Sequence, residues 1–218
     1  MATTRLDRVR VARAALDLLN ETGLDGLTLR AIAKELDVKA PALYWHFKDK
    51  QALLDEMATE MLRRMAADLA LEGGPDAGWE SVLTSTMRTM RHHLLRYRDG
   101  AKVYSGTRFT DASYAAPLEA RLRHLTSAGF SPDAAARAWL TAYSYTIGHV
   151  IEEQAMGPRP DEGGGGFDLA ARAERLKGYP LAAAAGDELF RSDDQGFEAG
   201  LAAVVAGIAA TLRGGPGV

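Results

Sequence analysis

Cysteine is absent from the 218 residues, which removes disulfides, thiolate metal sites and thiol nucleophiles together. No apolar run approaches the roughly 20 residues that a membrane-crossing helix needs. The basic N-terminal residues Arg5, Arg8, Arg10 and Arg13 lead into no apolar segment of the kind a secretion signal carries. A cytoplasmic chain with no membrane partner is therefore expected. Also missing are an internal repeat, a β-rich segment, a Ser-His-Asp order, a phosphate-binding glycine loop and a His-Glu-x-x-His pair, so neither a β fold nor a recognisable enzyme is expected.

A hydrophobic content of 47% is enough for a substantial core. The net charge is −3, which is the wrong sign for a nucleic-acid binder until it is divided along the chain. The first 50 residues carry nine Lys and Arg against seven Asp and Glu, whereas the remainder carries seventeen against twenty-two. A basic end and an acidic body suit a protein that touches DNA with one end only.

That basic end holds the most informative pattern. Leu29, Ile32, Ala33 and Leu36 repeat at one-face helical spacing, and Thr28 before them is a natural N-cap. Asp37 and Val38 end the helix. Pro41 is tolerated only in a first helical turn, so a second short helix must begin near Ala40. Leu43 and Phe47 then face inward, leaving Ala40, Pro41, Ala42, Tyr44 and His46 on or near the outer side. Two short helices and a tight turn form the helix-turn-helix that enters a major groove, although any small helical protein can contain such a hairpin. Upstream, Leu6, Val9, Ala12, Leu16 and Leu19 form a supporting stripe that ends at Gly23.

The remainder reads as helix. Asp49 caps a long helix with the stripe Leu53, Leu54, Met57, Met61 and Met65, ending before Gly73-Gly74-Pro75. Further helices are expected over Trp79 to Arg96, Tyr114 to Ala128, Pro132 to Met156, Asp168 to Lys177, Leu181 to Arg191 and Gln195 to Leu212. Gly100 and Gly106 bracket a short element expected to deform easily, and the glycine run from Gly163 to Gly166 is expected to be a mobile loop.

The order of these motifs resembles the tetracycline-repressor (TetR) family. The resemblance is carried by Ala15 to Leu19, Gly26-Leu27-Thr28, Ala33 to Leu36, Leu43 to Phe47 and Lys50 to Leu54. It continues through Arg98 to Arg108 and Gly148 to Gln154, which are similar to the tetracycline-repressor branch of that family. The resemblance implies an all-α protein with a DNA-binding domain at 1–50 and an effector-binding and dimerisation domain at 51–218. It also implies a repressor that binds palindromic double-stranded operator DNA as a homodimer and leaves it when a small-molecule effector arrives.

By the same resemblance Arg30 reads a guanine, and Tyr44 and Lys50 hold phosphates, with Thr28, Trp45, His46 and Lys48 as neighbours. Packing against the preceding helix is the alternative for Trp45 and His46. Ala40 and Ala42 stand where the branch carries polar base-reading side chains, so a different operator is expected.

In the effector half, the branch binds a tetracycline–magnesium chelate through a His at the position of Tyr104, the pair Thr107-Arg108 and a Glu matching Glu152. Further drug contacts fall at Ala66, Thr86 and Met90. A neutral phenol is a poor ligand for magnesium at pH 7, so a metal-free aromatic or polyketide-like effector is expected and no cofactor. The expected lining is Thr86, Met90, Tyr104, Thr107, Arg108, Phe109, Arg121, Trp139, Tyr143 and Glu152. Three alternatives stand beside it: a true tetracycline–magnesium sensor, a helical enzyme using Glu152 or His149 as acid or base, and a DNA-binding dimer with no effector.

Overall fold

The structure, a computed structural model, describes residues 6–69, 77–157, 167–190 and 194–213. Every regular element among them is a helix. The expected end of the fourth helix at Gly73 to Pro75 and the glycine run from Gly163 fall outside the described residues.

The first helix, α1 (Arg8–Gly26), is capped by Asp7, whose side chain accepts the Arg10 N–H. It bends at Gly23, where φ is 67°, so the glycine expected to close this helix instead turns it and lets one further turn follow. The buried stripe is Val11, Ala12, Ala15, Leu16, Leu18 and Leu19. Val9, expected to face inward, is only partly covered.

The helix-turn-helix forms as expected from α2 (Leu29–Glu35) and α3 (Ala40–Tyr44). Thr28 caps α2 through the Ala31 N–H, and Pro41 lies in the first turn of α3. Between them Asp37 adopts φ 51°, a left-handed conformation that short Asx side chains tolerate better than bulky ones. The Val38 N–H then returns to the Ala33 carbonyl.

The long helix α4 (Lys50–Leu69) begins at Asp49, whose carboxylate accepts the Ala52 N–H. Its apolar residues Leu53, Met57, Met61 and Met65 belong to one continuous core that runs from Leu16 and Phe47 to Met90, Tyr104 and Val150. The N-terminal unit thus shares its interior with the helices beyond it.

Those helices are α5 (Trp79–Leu95), α6 (Gly100–Tyr104), α7 (Ala115–Ser127), α8 (Pro132–Met156) and α12 (Asp194–Thr211). Ser131 caps α8 through the Ala134 N–H, with Pro132 at the first position. A second core joins Trp79, Leu83 and Met87 of α5 to Ala135, Ala138 and Ala142 of α8 and to Phe197, Leu201 and Val205 of α12. Small alanines on α8 let α5 and α12 approach closely on either side. The segment expected as one helix after Leu181 divides into α10 (Pro180–Ala184) and α11 (Gly186–Leu189), which pack with α9 (Leu169–Arg175).

Candidate nucleic-acid interface and ligand cavity

On the outer side of the N-terminal unit, Tyr44 and Trp45 are 55% and 89% exposed. Trp45 therefore does not pack against α2, and the packing alternative fails for it. Arg30, Pro41, Lys48 and Lys50 are exposed, while Ala40, Ala42 and His46 are partly covered. Thr28, Arg30, Tyr44 and Lys50 line one open hollow of about 620 Å³ with Leu27, Leu29 and Asp49. A hollow edged by a hydroxyl, a phenol, a guanidinium and an ammonium can receive phosphate and base-edge oxygens. Trp45, His46 and Lys48 lie outside it. The Lys50 ammonium donates to the Leu24 carbonyl at 2.9 Å, which holds it at the rim.

This unit is fastened to the body at both ends of α1. At the start, Arg8 and Arg13 donate to Glu56 and Glu60 of α4 at 2.9 and 2.7 Å, and both glutamates are buried. Burial works to raise the Glu60 pKa, but hydrogen bonds from Arg13 and Arg64 outweigh it and leave the carboxyl below its ordinary value. At the far end, Asn20 accepts the Arg98 N–H at 2.8 Å and Asp99 accepts the Leu24 N–H at 3.1 Å.

Between α4, α5, α7 and α8 lies a cavity of about 210 Å³. Of the expected lining, the structure brings Met90, Tyr104, Phe109, Arg121, Trp139 and Tyr143 together there. Thr86, Thr107, Arg108 and Glu152 do not line it. The Thr86 hydroxyl is buried and donates back to Val82, and that of Thr107 donates to Val103. Thr86 follows the tendency of helical hydroxyls to bond a carbonyl one turn earlier. Arg108 is exposed, with its backbone N–H on Asp55 at 3.3 Å. Glu152 sits in a separate groove with His149, Glu153 and Phe190.

The wall also contains residues that the sequence reading did not assign to it: Leu62, Met65 and Leu69 of α4, Tyr114, Pro117 and Leu118, and Leu140. Tyr114, Pro117 and Leu118 share one-face helical spacing, which was the available signal. Aromatic rings dominate the wall. Tyr104 meets Phe109 edge-on at 5.6 Å, and Phe109 stacks on Tyr114 at 5.6 Å. Burial raises the Tyr104 phenol above its ordinary pKa, with Tyr143 adding to the shift, so it stays neutral and can donate a hydrogen bond. Arg121 is the charged residue of this lining; its guanidinium donates to the Leu69 carbonyl, which fixes it at the end of α4. A mostly apolar, aromatic cavity with a phenol and a guanidinium fits a flat molecule bearing a carbonyl or acidic group.

The residues present do not fit a magnesium ion. This lining supplies neither a carboxylate nor an imidazole, and among the described residues no cluster of three His, Asp or Glu could hold a metal. Among the described residues, too, no helix is long and apolar enough to cross a membrane.

Residues 12–57 match the family described as bacterial regulatory proteins, tetR family, and residues 72–212 match the tetracyclin repressor-like C-terminal domain. The class A tetracycline repressor of Escherichia coli is 43% identical over 206 residues, covering 94% of this chain and 92% of the repressor. A solved structure of a possible TetR family transcriptional regulator from Streptomyces coelicolor A3(2) superposes with a TM-score of 0.80 at 39% identity, covering 94% of this chain and 99% of that one. The class A repressor in complex with 5a,6-anhydrotetracycline and magnesium superposes with a TM-score of 0.65 at 39% identity, covering 94% and 99%.

Proposed function

We propose that this chain, which belongs to the tetR family of bacterial regulatory proteins, is a DNA-binding repressor whose effector occupies the aromatic cavity beneath α4. It acts in the cytoplasm as a regulator and not as an enzyme. The observation that carries this reading is that one helix, α4, has its first residue at the rim of the Thr28, Arg30 and Tyr44 hollow and its Leu62, Met65 and Leu69 in the cavity wall. A molecule entering the cavity pushes on the helix that carries the DNA-reading unit.

Arg30 reads a base, and Tyr44, Lys50 and Thr28 hold the backbone, with Trp45, His46 and Lys48 beside them. Ala40 and Ala42 offer methyl groups to thymine and no hydrogen bonds, which sets the operator preference. Two copies are required, because one short recognition helix reads too few base pairs for specificity in a genome. The domain reading remains 1–50 for DNA and 51–218 for effector and dimer.

The effector is an aromatic or polyketide-like molecule bound without metal, stacked near Trp139 and Tyr143 and hydrogen-bonded by Tyr104 and Arg121. The buried neutral phenol of Tyr104 supports this, as does the distance of Glu152 from the cavity lining. The test has two stages. Selection of duplexes from a random library with the full chain should enrich a palindrome; enrichment of no sequence would overturn the DNA reading. Calorimetry with aromatic polyketides in excess EDTA should then find binding that Tyr104→Phe and Arg121→Gln weaken.

A second reading, a tetracycline–magnesium sensor, is favoured by the 43% identity to the class A repressor. Tight tetracycline binding in magnesium that EDTA abolishes would establish it in place of the first.

A further inference from the structure

The loop after α6 carries Phe109 and Tyr114 into the cavity wall. Between them Asp111 points away from the cavity and toward α4, where Arg63 donates to it from Nη2 at 2.6 Å and from Nε at 3.2 Å. The same guanidinium donates to Glu56 at 3.2 Å and to Glu60 at 3.4 Å. Glu56 uses its other oxygen, Oε2, to accept from Arg8 Nε at 2.9 Å. Arg8 in turn donates from Nη1 to the carbonyl of His46 at 2.5 Å and lies over the Phe47 ring at 4.5 Å. A single unbroken line of charged hydrogen bonds therefore runs from the cavity wall to the end of the helix-turn-helix.

Charges in such a line are not independent. Glu56 and Glu60 are 3% and 1% exposed, so their interactions act in a medium less screened than water. Each carboxylate is shared by guanidiniums that compete for it: Glu56 by Arg8 and Arg63, and Glu60 by Arg13, Arg63 and Arg64. Asp111 draws Arg63 outward. When Asp111 moves or loses its charge, Arg63 has only the two glutamates to satisfy it and draws more strongly on the carboxylates whose other oxygens hold Arg8 and Arg13. Loosening Arg8 frees the His46 carbonyl.

We propose that Arg63 is a positioning residue through which the cavity-wall loop sets the hold of Arg8 on the end of the recognition helix. The proposal takes α3 as the recognition helix of the reading above. It adds a route from the Phe109 to Tyr114 loop to α3 that bypasses α6. Arg63 touches neither DNA nor the cavity. Its fork is essential to this role, since a lysine is one point charge and cannot serve three carboxylates in fixed directions.

Amide hydrogen exchange on the full, ligand-free chain tests this without a known effector or operator. The reporters are the His46 and Phe47 N–H groups, which both bond the Leu43 carbonyl at 2.9 Å. Asp111→Asn should speed their exchange roughly threefold to tenfold, within the range of couplings between members of one network, whereas Arg63→Lys, a weaker competitor for Glu56, should not. Asp111→Glu should restore it. In a Glu56→Gln background, which cuts the line, Asp111→Asn should add nothing. Acceleration confined to Thr110 and its neighbours, or simple additivity with Glu56→Gln, would overturn the proposal. Failure of the duplex selection would instead count against the DNA reading and leave this exchange result to decide the coupling by itself.

Discussion

The side chain of Gln154, near the end of α8, accepts the Ala101 N–H at 3.1 Å while donating to the carbonyls of Tyr97 at 2.8 Å and Leu94 at 3.3 Å. It clamps the first turn of α6 against the end of α5. Gly100 is part of the same fit, because a Cβ there would lie 2.3 Å from the Leu94 carbonyl oxygen. The short element between two glycines is thus tightly packed at its start, not easily deformed.

Gly100→Ala should therefore strain this turn and not stiffen it. A cost of about 1–3 kcal/mol is expected from such overpacking, read as a lower urea midpoint. Gln154→Ala should cost less, about 1 kcal/mol, because only the Ala101 N–H loses its partner: the Gly100 and Tyr97 N–H groups still bond the two carbonyls. A Gly100→Ala midpoint equal to that of the wild type would refute the close approach.

Arg30 and Lys50 share the hollow on the DNA-reading side, yet they should fail differently. Arg30→Ala should relax preference at one base position per half-site by roughly 1–3 kcal/mol. Lys50→Ala should weaken every duplex alike and reduce the salt slope by about one unit. Binding isotherms at several salt concentrations on selected and scrambled duplexes separate the two. Identical behaviour of both variants would make Arg30 a backbone contact.

Acid should weaken the fold through the network around α4. Asp111 is brought down to about 2, first by its hydrogen bond with Ser113 and then by Arg63, and Glu60 is also held low. A carboxyl with a lower pKa folded than unfolded favours the fold wherever it is ionised, above about pH 4, and this contribution is lost as pH falls through the folded value. The urea midpoint should drop between pH 5 and pH 2, and Asp111→Asn should show a smaller drop. An unchanged drop would remove Asp111 from the account.

The assembly prediction concerns α12. Ala199, Ala202, Ala206 and Gly207 are exposed, and a Cβ at Gly207 meets nothing within 4 Å. Gly207→Arg should leave the monomer folded but shift light scattering from dimer to monomer at micromolar concentration. Gly200 does not belong to this face: a Cβ there would lie 2.1 Å from the Tyr145 hydroxyl, so it serves the contact between α12 and α8. A dimer that survives Gly207→Arg would place the interface elsewhere.

Helices were legible in the sequence wherever a cap and a stripe agreed, as at Thr28 with Ile32 and Ala33, or Ser131 with Pro132. Local hydrogen bonds and one-face periodicity act within a few residues and leave a local mark. The cavity was legible only in part. Met90 and Tyr104 could be placed by resemblance, but Arg108, in the loop after α6, and Glu152, on α8, do not line the cavity. The Asp111 to Arg8 line left no mark at all. Its members lie on three separate segments, and charges on a helix such as α4 read as an ordinary solvated face until the fold buries them.

Arg8 and Asn20, near the two ends at which α1 is tied to the body, are separated by about 18 Å of helix. A rigid piece held at two distant points retains one easy motion, a rotation about the line through them, as a door turns on its pins. The helix-turn-helix lies to one side of that line. Small displacements at α4 should thus appear as a swing of α3 along a fixed arc, carrying the recognition helices of a dimer closer or farther apart while sliding and twisting remain stiff.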